Sequence, residues 1–185
     1  TSKTGYAGNM ICKDGTPAGY AIHDFDGDSI SWIYKTVGNS VNYHFRAYDL
    51  IDCQITAAKF APSIDESDVR PYAGTYASED KTNRVLVNVW NYDPEWKIEI
   101  TENGISLPVK RVETKDPLHI ISYEMMRLNH GSKPTSDFVT DTTSHMFVTQ
   151  ASSPTTTLNI KVTDRFGNVY TQEMRRPKQL TWSMK

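Results

Sequence analysis

The stretch WKIEITENGISLPVKRV, residues 96–112, decides how the rest of the chain is read. Trp96, Ile98 and Ile100 alternate with Lys97, Glu99 and Thr101, the period of two that places every second side chain on one face of a strand. Asn103-Gly104 then supplies a tight hairpin turn, and the chain returns through ISLPVKRV. Just upstream, RVLVNVW (84–90) is a near-continuous apolar run, which suits a strand buried on both faces. Downstream, Leu158, Ile160 and Val162 alternate with Asn159, Lys161 and Thr163 before Phe166-Gly167-Asn168 turns into VYTQEM. Nearer the start, GYAIHDF, ISWIYK and VNYHFRAY read as three strands between residues 19 and 48, with turns at Asp26-Gly27 and Gly38-Asn39. Ile30, Trp32 and Tyr34 share one face, and Val41, Tyr43, Phe45 and Ala47 share another; both faces are expected in a core.

Many short strands, turn chemistry between them and no long segment of helical period predict an all-β fold. The architecture expected is an antiparallel β-sandwich, an immunoglobulin-like arrangement being one form of it, with residues 1–185 as a single domain. Trp32, Phe45, Val87, Ile98 and Ile160 are the predicted core. Two polar, turn-rich stretches, 61–83 and 127–142, read as long loops, and LIDCQITAAKF (50–60) has the composition of one short helix.

At 185 residues, with 38% hydrophobic and 23% charged residues, the composition is that of a globular domain. A net charge of -2 with no long run of either sign excludes the basic footprint of a nucleic-acid binder. No apolar stretch approaches the roughly 20 residues that cross a bilayer, and TSKTGYAGNM has no basic-then-apolar signal pattern, so any export signal would lie upstream. Cys12 and Cys53 lack C-x-x-C spacing; two buried thiols are expected ahead of a disulfide.

No motif assembles an active site. Asp24, Asp26 and Asp28 alternate as at the start of a calcium loop, but Gly27 falls at the fourth position rather than the sixth and Lys35 stands where the loop needs glutamate; a solvated hairpin turn is the better reading. No two histidines lie three or four residues apart, and H-E-x-x-H and G-x-S-x-G are absent. His44 shares a strand face with Asn42 and Arg46 and is expected at a solvated rim. His145 enters an apolar strand and reads as a structural hydrogen-bonding residue rather than a metal ligand, since structural zinc takes four protein ligands and catalytic zinc three. Tyr72 and Tyr76, beside Arg70 in a polar loop, could form a stacking surface for a glycan or a partner protein.

Several ordered segments together resemble one family. CKDGTPAGYAIHDFDGDSISWIYKTVG, VLVNVWNYDPEWKIEITENG, KDPLHIISYE and TSHMFVTQASSPTTTLNIKVTDRFGNVYTQEMRRPK are similar to the C-terminal domain of exported bacterial calcineurin-like phosphoesterases. The likeness is carried by Asp14-Gly15-Thr16-Pro17, Gly19-Tyr20, Asn88-Val89-Trp90 with Trp96, Asp116-Pro117-Leu118, His145-Met146-Phe147, and Thr163-Asp164 through Gly167; residues 49–83 match nothing.

The resemblance implies a larger protein with a β-rich N-terminal domain and a central domain that holds two divalent metals through D-x-H, G-D, G-N-H-D/E and later histidine motifs. This chain has none of these: Asp24-Phe25-Asp26 lacks the histidine, and Asn129-His130-Gly131 lacks both the leading glycine and the trailing acid. The expectation is therefore an accessory domain with no catalytic residue, metal ligand or cofactor of its own. Its partner would be the catalytic domain of the same polypeptide, exported to the periplasm or the cell surface as the resemblance implies, contacted through Arg70, Tyr72, Tyr76 and His145; the alternative is a glycan- or surface-binding module.

Overall fold

The computed structural model describes residues 11–183. Strands β1 (Gly19–Asp26) and β2 (Ser29–Thr36) form a separate antiparallel hairpin. A central sheet is built from β3 (Phe45–Asp49), β4 (Arg84–Val89), β7 (Lys110–Lys115) and β8 (Thr142–Gln150), in the order β3-β4-β8-β7. A second sheet contains β5 (Lys97–Glu102), β6 (Ile105–Ser106), β9 (Leu158–Thr163) and β10 (Val169–Met174), in the order β10-β9-β5-β6. All pairings are antiparallel, as predicted.

The two sheets pack face to face. Phe45, Ala47, Val85, Val87, Val89 and Phe147 of the central sheet meet Ile100, Leu158, Ile160, Val162, Tyr170 and Met174 of the second. The apolar run of β4 has its explanation here, because Leu86 projects from the opposite face into a second core with Tyr48 and Met146. That core is closed by helical segments, which make a third layer: α1 (Ala57–Phe60), α2 (Glu66–Ala73), and a helix that starts as α3 (Pro117–His119), widens into a π-helical segment (Ile120–Met125) and ends as α4 (Met126–Asn129). Ile55, Phe60, Val69, Leu118, Ile121 and Met125 fill it.

Several expectations need correction. The hairpin β1–β2 is not core: every residue of β1 is exposed, Ile30 is 46% exposed, and Trp32 and Tyr34 are half-buried. Only β2 rests on the body, through Trp32, Ile33 and Tyr34, and a two-stranded hairpin with no layer over it has no fully covered face, so alternation there does not report a core. The third strand begins at Phe45, and Val41 lies outside it, exposed. ISLPVKRV is not one return strand. Ile105–Ser106 pairs with β5 and Leu107 N still donates to Ile100 O at 2.8 Å; Pro108 and Val109 then carry the chain to the central sheet, where β7 pairs with β8. Pro108 has no N–H to continue a ladder, and its carbonyl accepts instead from Thr149 Oγ1 at 2.8 Å.

The stretch 61–83 holds α2 and a 3-10 turn (Gly74–Ala77), and 127–142 starts inside the last helix. Phe45, Val87 and Ile160 are buried, whereas Ile98 is only half-buried. His44 is 1% exposed: it stacks on Tyr170 at 3.8 Å between ring centres, and its Nε2 bonds the Val41 carbonyl at 2.8 Å. Cys53 is buried and Cys12 exposed, and both are free thiols. Among the described residues no helix is long and apolar enough to cross a membrane.

Candidate functional site

The segments that carry the family resemblance are far apart in sequence, yet four of them meet at one buried polar knot. Its first part is the turn Ile11–Pro17, closed by Cys12 N donating to Thr16 O and Gly15 N to Cys12 O, each at 2.8 Å. Asp14 Oδ1 accepts from Thr16 N at 2.9 Å, the local side-chain bond for which Asp is favoured in turns. Gly15 has φ +83°, and a Cβ there would lie 2.1 Å from Asp116 Cγ, so both backbone and space require glycine.

Asp116, fully buried, is the centre. Its Oδ2 accepts from Tyr48 Oη at 2.7 Å and Asn88 Nδ2 at 2.8 Å, and its Oδ1 accepts from the His119 amide at 2.9 Å. The last bond is a helix cap: Asp before Pro117 at the first helical position and the third amide turned back onto the carboxylate. Asn88 Nδ2 also reaches the Asp14 carbonyl at 2.8 Å, and Arg46 Nη1 donates to Gly15 O at 3.0 Å and Tyr48 Oη at 3.2 Å.

Arg46 Nη1 lies 3.9 Å from Asp116 Oδ2, too far for a direct hydrogen bond, so the Tyr48 hydroxyl links the two charges. Burial works against the Arg46 charge, but Tyr48 and Asp116 more than offset it, and its pKa is raised. Burial, with Asp116 adding to it, likewise pushes the Tyr48 phenol well up.

At the rim, His145 Nε2 lies 3.2 Å from Asp14 Oδ2. A carboxylate can only accept, so Nε2 carries the hydrogen, which fixes the tautomer. Burial raises the Asp14 pKa, but the bonds from His145 and Thr16 outweigh it and hold the group at about 2. His145 thus hydrogen-bonds a loop, though the acceptor is a carboxylate rather than a carbonyl.

A second buried chain branches from the same helix. Thr140 Oγ1 donates to Glu124 Oε2 at 2.9 Å and lies 2.6 Å from His119 Nδ1. The hydroxyl has a single hydrogen, so His119 Nδ1 must be a donor. Burial lowers the His119 pKa and raises that of Glu124. The chain secures the loop after α4 to the π-helical segment. Asp164, also in a resemblance motif, accepts from Phe166 N, Asn168 N and Nδ2, and Tyr170 Oη at 2.8–3.0 Å, and so shapes the β9–β10 turn.

The predicted contact residues divide into two groups. Arg70 is exposed on α2, Tyr72 is half-buried on the same helix, and the 3-10 turn that follows directs Tyr76 inward. Tyr76 is 7% exposed and donates to the Lys115 carbonyl at 2.7 Å, which leaves little ring surface for stacking. His145 belongs to the polar knot instead. Asp24, Asp26 and the turn residue Asp28 lie along the exposed hairpin, with Gly27 at φ +57°. Among the described residues no three His, Cys, Asp or Glu side chains are arranged to hold a metal ion. Burial pushes the Cys53 thiol far up, which disfavours a thiolate nucleophile.

Fold and site together define a class: a two-sheet antiparallel domain with a helical third layer, whose most elaborate polar cluster braces the architecture. The chain belongs to the family described as the C terminal of calcineurin-like phosphoesterase, whose model matches residues 1–170. No curated protein and no solved structure gives a significant match.

Proposed function

We propose that the chain is a non-catalytic accessory domain that packs on, or edges the substrate cleft of, the catalytic domain of a calcineurin-like metallophosphoesterase. The observation that carries this reading is the polar knot. Asp14, Asn88, Asp116 and His145, the most chemically capable of the motif residues, donate to or accept from one another or the backbone around them. Groups committed in this way hold a shape for presentation to a partner. The metal chemistry belongs to the partner domain, where two ions would activate a hydroxide and clamp the phosphate. Export from the cytoplasm is part of the same proposal, by analogy with the family.

The test is an assay of the purified chain against aryl phosphate mono- and diesters with manganese, zinc or magnesium. No turnover is expected in any metal, while the longer polypeptide with its upstream domain turns over. Activity of the chain alone that survives purification and disappears in Asp26→Asn or His145→Ala would overturn the reading. The glycan-binding alternative loses Tyr76 to the interior, and no other observation favours it.

A further inference from the structure

We infer that β1 is a docking edge that adds the hairpin, main chain to main chain, to a strand of the upstream catalytic domain. The inference rests on the accessory reading above, which supplies the partner. The hairpin is held to the body through β2. Tyr34 Oη donates to the Pro17 carbonyl at 2.8 Å, and Trp32 packs edge-on against Phe166 with rings 4.7 Å apart. Arg165 lies over Trp32 and pairs with Asp93 and Glu95.

β1 faces the other way. Val37 N donates to Ala18 O at 2.9 Å, so in an antiparallel ladder every second pair from there is the bonded kind: Tyr20↔Lys35, Ile22↔Ile33, Asp24↔Ser31 and Asp26↔Ser29. The amides of Gly19, Ala21, His23 and Phe25 therefore point away from β2, and no described strand pairs with that side.

Free edges in monomeric domains are shortened, bulged, covered, or guarded by charged side chains, Lys above all, or by Pro. The eight residues of β1 run in unbroken register, all exposed and paired on the outer side with no described strand; the only charges are Asp24 and Asp26 at the turn end, which leaves Gly19–His23 unguarded. Phe25 is 71% exposed and Tyr20 54%, a large apolar surface for a strand in water. Charge decides the occupant. β1 and the turn after it carry Asp24, Asp26 and Asp28, and the one Lys or Arg of the hairpin, Lys35, lies on β2 with its ammonium donating to the Thr36 and Asn39 carbonyls. A second copy would set the same aspartates against this edge, whereas a strand flanked by basic side chains on the catalytic domain complements both the edge and the charge. Tethering in one polypeptide raises the effective concentration to about the millimolar range, so a single strand pairing suffices to hold the contact.

The test is residue-resolved amide exchange on the chain alone and on the longer polypeptide that includes the catalytic domain. In the longer polypeptide the amides of Ala21, His23 and Phe25 should slow at least tenfold relative to the chain alone. Ala21→Pro, which removes an outward amide and no bond within the hairpin, should restore fast exchange at His23 and Phe25. Retained protection at Ile22 and Asp24 would show that the hairpin still forms. Phe25→Ser, a milder change, should reduce the gained protection at least threefold. Fast β1 amides in the longer polypeptide, with new protection elsewhere on the domain, would overturn the docking edge and leave the accessory reading intact. No new protection anywhere would remove both. Slow β1 amides in the chain alone would also overturn the inference: with concentration dependence and a sedimenting dimer the occupant is a second copy, and without it the edge is covered within the chain.

Discussion

Asp116 shows how much one carboxylate can organise, and also why the knot was only half legible in the sequence. Replacing it with alanine leaves the Tyr48 hydroxyl, an Asn88 amide hydrogen and the His119 amide without their acceptor, and the Arg46 charge without its counterion. Breaking a buried charge pair in this way costs about 3–5 kcal/mol, to be read as a lowered urea midpoint. Asp14 makes a pH prediction. Its pKa is depressed in the fold to about 2 from an ordinary 3.8, so its contribution to stability is present above pH 4 and is lost as the pH falls toward 2. The gap in melting temperature between the protein and Asp14→Asn should close across that window. His145→Ala should lower the melting temperature modestly and leave metal content unchanged. The resemblance pointed to Asp14, Asn88, Asp116 and His145 as positions of note. It gave no reason for them, because Asn88 and Asp14 are 74 positions apart and only the fold brings them together. Arg46 was missed outright: alternation placed it with His44 on a polar face expected at the solvated rim, yet Arg46 is 2% exposed.

At the scale of elements, period-two patterning identified most strands, and their faces held where a second layer exists to cover them. In β9, Leu158, Ile160 and Val162 are buried against the central sheet while Asn159 and Lys161 are exposed. Ile160→Ala should therefore cost about 2–5 kcal/mol. The partly buried Ile98 removes less area from water and should cost under about 2 kcal/mol, as measured by the same urea titration. Near-equal losses would mean that the inner face is covered as fully at Ile98, near the start of β5, as at its centre. The helix from Pro117 was not expected, although Asp116-Pro117 is a start signal and the His119 amide, at the third position, turns back to the cap. Its continuation was hidden because the six-residue π segment disturbs the 3.6-residue spacing that reveals a helix. The turn at Asn103-Gly104 was legible, with φ +50° and +79° at the two residues, but the departure of the chain toward the other sheet after Leu107 was not.

For the whole molecule, the central sheet contributes to both cores, so neither half has a complete interior without the other. The remote closure is made by Arg176, six positions beyond the family match. Its Nε and Nη2 grip both oxygens of Asp49 at 3.0 and 2.9 Å, and both side chains are almost wholly buried. Leu180 follows into the helical core, its amide donating to the Asp52 carbonyl. Arg176→Ala should cost about 3–5 kcal/mol and should lower the tryptophan-fluorescence and far-ultraviolet transitions together, because the pair joins the segment after β10 to the sheet shared by both cores. The same pair sets an order in time on the ribosome. Asp49 is translated 127 residues before its counterion. At about 5–20 residues per second, β3 emerges roughly 6–25 s before its charge can be neutralised. During that interval the nascent domain carries an uncompensated carboxylate beside its future central sheet, which delays final closure until Arg176 has left the exit tunnel.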